Sequence, residues 1–168
     1  DNNGSHWPLE RKFGIDPGQE IEHFRFAREL GLKPYGMTFH VGSQNNDPQA
    51  WVRALERLQP IWISLAEIGI ELEVIDIGGG FPTHFHEPVP EVEEIAAAIL
   101  PAHQRLFAEK VALLVEPGRG MVGNAGVMAA TVINRAQRGE RDWLYLDVGA
   151  FHGLIEGMDY YGFQYPVV

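Results

Sequence analysis

The stretch Leu72–Pro82 constrains the fold more than any other part of this 168-residue chain. Its apolar run from Val74 to Ile77 is rich in β-branched residues and too short for a helix, so it predicts a buried strand. The glycines Gly78–Gly80 follow directly and allow a sharp turn whose amide groups no side chain covers. Amides of this kind can bind a phosphate, although glycines also form strand-to-helix turns that bind nothing.

Strand-like and helical segments alternate over residues 1–126. Strand ends are expected near residues 14, 41, 77 and 116, with mainly helical patterns between them, which is typical of parallel β/α units. The units show no sequence repeat, so a solenoid is excluded. Four units cannot close a barrel of eight. The pattern therefore predicts either half of a barrel or a doubly wound sheet.

Prolines mark the expected helix boundaries. Asp16-Pro17 and Asp47-Pro48 each place a capping side chain before a proline at the first helical position. Pro60 and Pro101 lie inside the two longer helical patterns and are expected to kink or interrupt them.

The pattern changes after residue 126. Val127–Arg135 and Trp143–Val148 predict two strands that are joined by a polar turn, with no helix between them. Residues 127–168 are therefore expected to begin a second, antiparallel β-domain.

The composition of the chain excludes several classes of partner and site. The formal net charge of −10 argues against nucleic acid or an anionic membrane surface as the partner. The chain has no cysteine, which excludes a disulfide framework and a thiol nucleophile within these residues and agrees with a cytoplasmic location. No apolar segment approaches the roughly 20 residues that a membrane-spanning helix needs.

Polar residues follow three of the predicted strands. His40 and Ser43 follow one strand, Gly78–Gly80 the next, and Glu116 with Gly118 and Arg119 the last. Ligands of α/β proteins bind at the carboxyl ends of parallel strands. Each group has a simpler interpretation: a hydrogen-bonded core histidine, a capping serine or a surface turn. Their corresponding positions in successive units favour a phosphate-bearing ligand.

His84, His86 and Glu87 form a loop cluster that could suggest a metal site. The three residues lack the spacing of the helical His-Glu-x-x-His motif. We therefore predict no metal here.

Three motifs together resemble a known family. Phe39-His40-Val41-Gly42-Ser43-Gln44, Asp76-Ile77-Gly78-Gly79-Gly80-Phe81-Pro82 and Glu116-Pro117-Gly118-Arg119 are similar, in order and spacing, to segments of the pyridoxal-phosphate-dependent decarboxylases of the alanine-racemase fold. That family acts on ornithine, lysine, diaminopimelate and arginine. The resemblance covers nearly the whole chain and is greatest to bacterial ornithine or lysine/ornithine decarboxylases.

The resemblance implies a role for each motif. His40 would stack on the pyridine ring of pyridoxal 5′-phosphate, and Glu116 would face the pyridine nitrogen. Ser43 and the amides of the glycine and Glu-Pro-Gly-Arg motifs would hold the phosphate. The candidate cofactor-binding residues are His40, Ser43, Gly78, Gly79, Gly80, Glu116, Gly118 and Arg119. Of these, His40 and Glu116 are also the candidate catalytic residues.

The chain also departs from the family. The family's Schiff-base lysine precedes the histidine motif, and none of Lys12, Lys33 and Lys110 has the corresponding position. The family's interface cysteine is likewise absent. The resemblance therefore implies an internal fragment: the second half of a (β/α)8 barrel over residues 1–126, then the first strands of the β-domain. Glu156 and Asp159 are the candidates for the acid that contacts the substrate.

The resemblance thus implies that the parent protein is a homodimer that decarboxylates a basic amino acid, and it favours the conversion of ornithine to putrescine in polyamine biosynthesis. These residues would supply cofactor contacts and be inactive alone. An alternative is a non-catalytic homologue that regulates a partner protein. A third hypothesis is a phosphate-binding barrel enzyme that is unrelated to pyridoxal phosphate, which binding of sugar phosphates would favour.

Overall fold

The computed structural model describes residues 13–158 and 164–167. Three short parallel strands form one sheet in the order β1 (Gly36–Thr38), β2 (Val74–Asp76) and β3 (Ala112–Leu114). The helices α1 (Glu20–Glu29), α2 (Gln49–Glu67), α3 (Val92–Leu106) and α4 (Gly118–Val122) alternate with them. A hairpin of β4 (Val132–Arg138) and β5 (Arg141–Leu146) follows. Two 3-10 turns, Ala150–His152 and Ile155–Gly157, lie beyond the hairpin.

The parallel sheet is in register from end to end. Gly36 pairs with Val74, and Ile75 pairs with Leu113. Backbone hydrogen bonds continue past the strands: the Ile77 amide donates to the Leu114 carbonyl at 3.0 Å. The carboxyl ends of β1, β2 and β3 are therefore tied side by side, and the loops that follow them start from one edge.

The core lies between this sheet and the helices α2 and α3. The buried side chains of this cluster include Trp51, Leu55, Ile75, Ile77 and Ile95. The buried residues of α2 recur along the sequence at the helical period, as is typical of an amphipathic helix that packs one face on a core. Truncating one such side chain to alanine would typically cost about 2 to 5 kcal/mol.

The prediction that Pro60 and Pro101 interrupt their helices is wrong, whereas the alternative, a kink at Pro60, stays a prediction. Both prolines lie inside continuous helices and are exposed. A proline on the solvent face leaves its freed carbonyl partner open to water. The apolar faces of the two helices stay packed, because Leu58 and Leu65 of α2 and Ile99 of α3 are buried.

Two boundaries near the start of the described chain also differ from the prediction. No strand is found at residues 13–15, so the described sheet has three parallel strands rather than four. Helix α1 begins at Glu20 rather than at Pro17, because Asp16 takes part in a turn in which its carbonyl accepts the Gln19 amide at 3.1 Å. The prediction for Asp47-Pro48 agrees better with the structure, because Asp47 Oδ1 accepts the Gln49 amide at 3.0 Å where α2 begins.

The predicted pair of strands after residue 126 is confirmed as an antiparallel hairpin with shifted ends. Arg135 pairs with Leu144, and Arg138 pairs with Arg141. Gly139 supplies the left-handed turn residue, with φ 60°, which glycine adopts without steric cost. The division into domains at residues 126 and 127, and the half of a barrel, stay predictions.

Candidate functional site

The loops after the three parallel strands meet at one edge of the sheet. The Asn45 amide donates to the Gly80 carbonyl at 2.8 Å, and the Glu116 amide donates to the Gly78 carbonyl at 2.9 Å. These two bonds join the histidine segment to the glycine segment and the glycine segment to the Glu-Pro-Gly-Arg segment. The predicted convergence of the three motifs is therefore present in the structure.

Gly79 lies at the centre of this arrangement. A Cβ placed on Gly79 would come within 2.9 Å of the Glu116 carbonyl oxygen and within 3.0 Å of His40 Nε2. Any side chain at this position would have to displace either backbone or the imidazole. The residue must therefore be glycine if the other two segments are to approach it this closely.

The neighbouring glycines are equally constrained. Gly78 and Gly80 have φ 65° and 95°, and a Cβ on Gly80 would lie 2.5 Å from the Gly42 carbonyl oxygen. The Gly78 amide donates to Asp76 Oδ1 at 2.9 Å. Within the described part of the chain, the amides of Gly79 and Gly80 donate to no protein acceptor. They are thus available to an anion at the edge of the sheet.

His40 is exposed at this edge rather than buried in the core. Its Nδ1 accepts the Gly42 amide at 2.8 Å, which requires an unprotonated Nδ1 and leaves the proton of the neutral ring on Nε2. Desolvation lowers the pKa of His40 below its ordinary value, and the negative charge of Glu116 partly opposes this shift. The ring is therefore neutral at physiological pH, with its Nε2 near Gly79.

Two buried polar residues of this loop were missed by the sequence reasoning. The Gln44 side chain binds both backbone groups of Thr83, and Thr83 Oγ1 donates to the Arg119 carbonyl at 2.8 Å. Asn45 is completely buried, and its Nδ2 donates to the Val41 carbonyl at 2.9 Å. A polar side chain in a strand-end loop is a weak signal by itself, because its partners lie on other segments.

The last motif is held in two ways. The Gly118 amide donates to the Glu116 carbonyl at 2.8 Å. This hydrogen bond would have to break before the Gly118 amide could donate to a phosphate, as the resemblance implies. The Arg119 guanidinium forms an ion pair of 2.5 Å with Glu156. Glu156 thus contacts the last motif through Arg119, and its predicted contact with the substrate stays a prediction. Asp159, the other acid predicted to contact the substrate, lies outside the described residues.

The remaining predicted residues have the following positions. Ser43 is half-buried beside Gly42. Lys33 and Lys110 precede β1 and β3, at the end of the sheet opposite the site, and Lys33 pairs with Glu73 at 2.6 Å. Lys12 lies outside the described residues. His84 and His86 are exposed, and residues 13–158 and 164–167 contain no group of three or more side chains that could hold a metal.

A family model described as "Pyridoxal-dependent decarboxylase, pyridoxal binding domain" matches residues 2–123. The chain belongs to this family. The family's cofactor is pyridoxal phosphate, as the resemblance of the motifs implied. Among the described residues, none of the helices has the length and apolar character of a membrane-spanning segment.

The relatives are decarboxylases of several amino acids. The lysine/ornithine decarboxylase of Selenomonas ruminantium is 35% identical over 173 residues, with 99% of this chain and 42% of the relative covered. The diaminopimelate decarboxylase of Archaeoglobus fulgidus is 34% identical over 151 residues, with 87% and 36% covered. A crystal structure of lysine/ornithine decarboxylase from Vibrio vulnificus, complexed with cadaverine, superposes with a TM-score of 0.79 at 33% identity and covers 95% of this chain and 43% of that one. The chain spans less than half the length of each.

The residues present fit pyridoxal phosphate. Glycine at position 79 lets the His40 imidazole and the Glu116 backbone approach the glycine segment closely, and the imidazole would supply an aromatic face to the cofactor. The amides of Gly79 and Gly80 supply donors for a dianionic phosphate, and fixed amides do so without reorganisation. The exposed carboxylate of Glu116 follows the adjacent strand and supplies an acceptor for a protonated ring nitrogen.

Proposed function

We propose that the protein to which these residues belong decarboxylates a basic amino acid with pyridoxal phosphate, with ornithine as substrate and putrescine as product. The observation that carries the proposal is the approach of the His40 imidazole and the Glu116 backbone carbonyl to Gly79, at the edge of the sheet where the Glu116 side chain is exposed. It supports a site in which an aromatic face, a carboxylate and free amides surround one flat group. Bound there, pyridoxal phosphate supplies a ring that accepts the electron pair left when carbon dioxide departs.

Glu116 keeps a proton on the ring nitrogen of the cofactor. A protonated ring withdraws electrons more strongly than a neutral one, so the carboxylate acts on the reaction through this proton. Its charge also favours the cationic form of any neighbouring group, as its effect on His40 indicates. His40, which remains neutral, presents an aromatic face to the ring without adding a competing positive charge.

The amides of Gly79 and Gly80 bind the phosphate, together with Ser43 and the Gly118-Arg119 segment. Their positions are set by the hydrogen bonds from Asn45 to Gly80 and from Glu116 to Gly78. Because these donors are fixed before the ligand arrives, little conformational entropy is lost on binding. The segment is thus a cofactor clamp, and the covalent attachment comes from a lysine elsewhere in the protein.

The preference for ornithine rests on the motifs and on the relatives. The relatives above include lysine/ornithine and diaminopimelate decarboxylases, and these substrates share a basic or zwitterionic end. We also propose a homodimer, as the family resemblance implies, in which the other subunit completes the site.

The test uses the full-length protein with L-ornithine, L-lysine, L-arginine and meso-diaminopimelate. We expect release of carbon dioxide, with the highest kcat/KM for ornithine. Glu116→Gln should lower kcat by about 100-fold or more, the usual scale for loss of a proton-holding group. Glu87→Gln, an exposed carboxylate on the neighbouring loop, is the matched control and should keep full activity.

Two outcomes would contradict the proposal. A protein that binds pyridoxal phosphate but decarboxylates none of the four amino acids would favour the regulatory homologue. A protein that binds sugar phosphates and ignores pyridoxal phosphate would favour the unrelated barrel enzyme. A preference for lysine would leave the reaction class in place and change the substrate.

A further inference from the structure

The carboxylate of Glu156 lies between two side chains that come from different parts of the chain. Its Oε1 accepts Arg119 Nη2 at 2.5 Å, and its Oε2 accepts the Tyr165 hydroxyl at 3.4 Å. The side chains of Arg119 and Glu156 are only 20% and 25% exposed. Ion pairs that are shielded in this way are screened less by salt and water than surface pairs.

Arg119 is held at both ends. Its guanidinium pairs with Glu156, and its carbonyl accepts Thr83 Oγ1 at 2.8 Å. Arg119 comes three residues after Glu116. A change in the direction of the Arg119 side chain would therefore shift the segment that contains Glu116 and Gly118.

Tyr165 forms the second side of the arrangement. Its ring packs edge-on against Phe85, with the ring centroids 6.1 Å apart, and Phe85 lies on the loop that follows Gly78–Gly80. Burial first, and the negative charge of Glu156 second, raise the pKa of Tyr165 above its ordinary value. The hydroxyl thus stays protonated and donates to Glu156.

These contacts tie the segment after the hairpin to two of the three loops of the site. A carboxylate whose charge is already paired with a guanidinium attracts a second cation only weakly, because the pair is nearly neutral at a distance. Glu156 is one of the two acids that the sequence analysis proposed as substrate contacts. Its pairing with Arg119 argues against a direct contact between Glu156 and the distal ammonium group of the substrate.

We propose that Glu156 is a positioning residue, which holds the Arg119 guanidinium in the direction that the cofactor's phosphate requires and fixes the segment after the hairpin against the site. The proposal rests on the proposed function, since it takes Arg119 to be part of the cofactor site. Tyr165 supports Glu156 in turn. Loss of the carboxylate would remove the Glu156 ion pair from the guanidinium while leaving the glycine amides in place.

The experiment measures the Kd of pyridoxal phosphate for the apo form of the full-length protein, by fluorescence titration, with KM for ornithine at saturating cofactor. We expect Glu156→Gln to raise the Kd by about 10-fold, as for the loss of one charge-assisted hydrogen bond, and to change KM by less than about 2-fold. Glu156→Asp should recover part of the affinity. Arg119→Gln should raise the Kd as well. The double variant should have a Kd no higher than that of the single variant with the higher Kd, because the two side chains act through one contact.

The Arg135–Asp142 ion pair of the hairpin is the matched control. It also joins an arginine to a carboxylate, at 3.0 Å, but its side chains are 68% and 59% exposed, so Asp142→Asn should leave both the Kd and KM unchanged. Thermal unfolding of every variant separates a loss of folded protein from a loss of affinity.

Three outcomes would overturn the inference. A KM raised by about 10-fold with an unchanged Kd would make Glu156 a substrate contact. A lower melting temperature with unchanged affinity of the folded protein would make the ion pair purely structural. Additive effects of the two substitutions on the Kd would show that Glu156 and Arg119 act independently. A wild-type protein that does not bind pyridoxal phosphate would instead overturn the proposed function.

Discussion

The Gln44 side chain binds both backbone groups of Thr83, although 39 residues separate the two in the chain. Gln44 Nε2 donates to the Thr83 carbonyl at 2.6 Å, and the Thr83 amide donates to Gln44 Oε1 at 3.2 Å. Both residues are buried. This pair therefore fixes the loop after β1 to the loop after β2, the two loops that carry His40 and the glycines of the proposed cofactor site.

Replacing Gln44 by alanine should destabilise the protein. The substitution leaves a buried amide and a buried carbonyl of Thr83 without a partner, which should lower the free energy of unfolding by about 2 to 4 kcal/mol. Denaturant unfolding of the full-length protein measures the change. Asn46→Ala, at the exposed position two residues further on, is the control and should stay within about 0.5 kcal/mol of wild type. Equal stability of the two variants would contradict the proposed role of the Gln44–Thr83 pair.

Gly79→Ala should weaken cofactor binding. The new methyl group would lie 2.9 Å from the Glu116 carbonyl oxygen and 3.0 Å from His40 Nε2, so at least one of these segments must move. Overpacking of this kind typically costs about 1 to 3 kcal/mol. We expect a Kd for pyridoxal phosphate at least about 10-fold higher, measured by fluorescence titration. Gly126→Ala, where nothing lies within 4 Å of the added carbon, should bind normally. Normal binding by Gly79→Ala would show that the cofactor does not use this site.

Glu116→Gln should lower the pKa of His40 further. Desolvation already lowers this pKa, and the Glu116 charge opposes the shift, so the effect of desolvation is unopposed once that charge is removed. The titration of the His40 ring protons by NMR in the cofactor-free protein measures the change. Glu87→Gln removes a carboxylate of the exposed loop and should leave the pKa of His40 unchanged. A raised pKa in Glu116→Gln would mean that the two side chains do not interact as the structure indicates.

His103 should make the protein less stable at mildly acidic pH. The side chain is 9% exposed and stacks on Phe107, and burial lowers its pKa below the ordinary value of 6.5. As the pH falls below about 6.5, the unfolded chain takes up a proton that the folded state resists. The free energy of unfolding therefore decreases until the pH passes the folded-state pKa. His103→Leu should make this dependence shallower between pH 7 and 5, and an unchanged slope would contradict the assignment.

Local signals in the sequence determined much of this structure. The β-branched run Val74–Ile77 and the glycines after it predicted β2 and its turn, because strand propensity and left-handed backbone conformations depend on the residue itself. The apolar spacing of α2 predicted its buried face for the same reason. The three motifs indicated the family correctly, because their residues and their order along the chain are properties of the sequence alone.

Only the tertiary structure decided which residues meet. The pairs Gln44–Thr83 and Arg119–Glu156 join positions that are 39 and 37 residues apart, and polar side chains of these types have many alternative partners in an unfolded chain. The helices likewise continue past Pro60 and Pro101, because packing on their inner faces outweighs the local cost of a proline. Propensity acts within a few residues, whereas burial and pairing depend on where distant segments come together, and the site is made of such pairs.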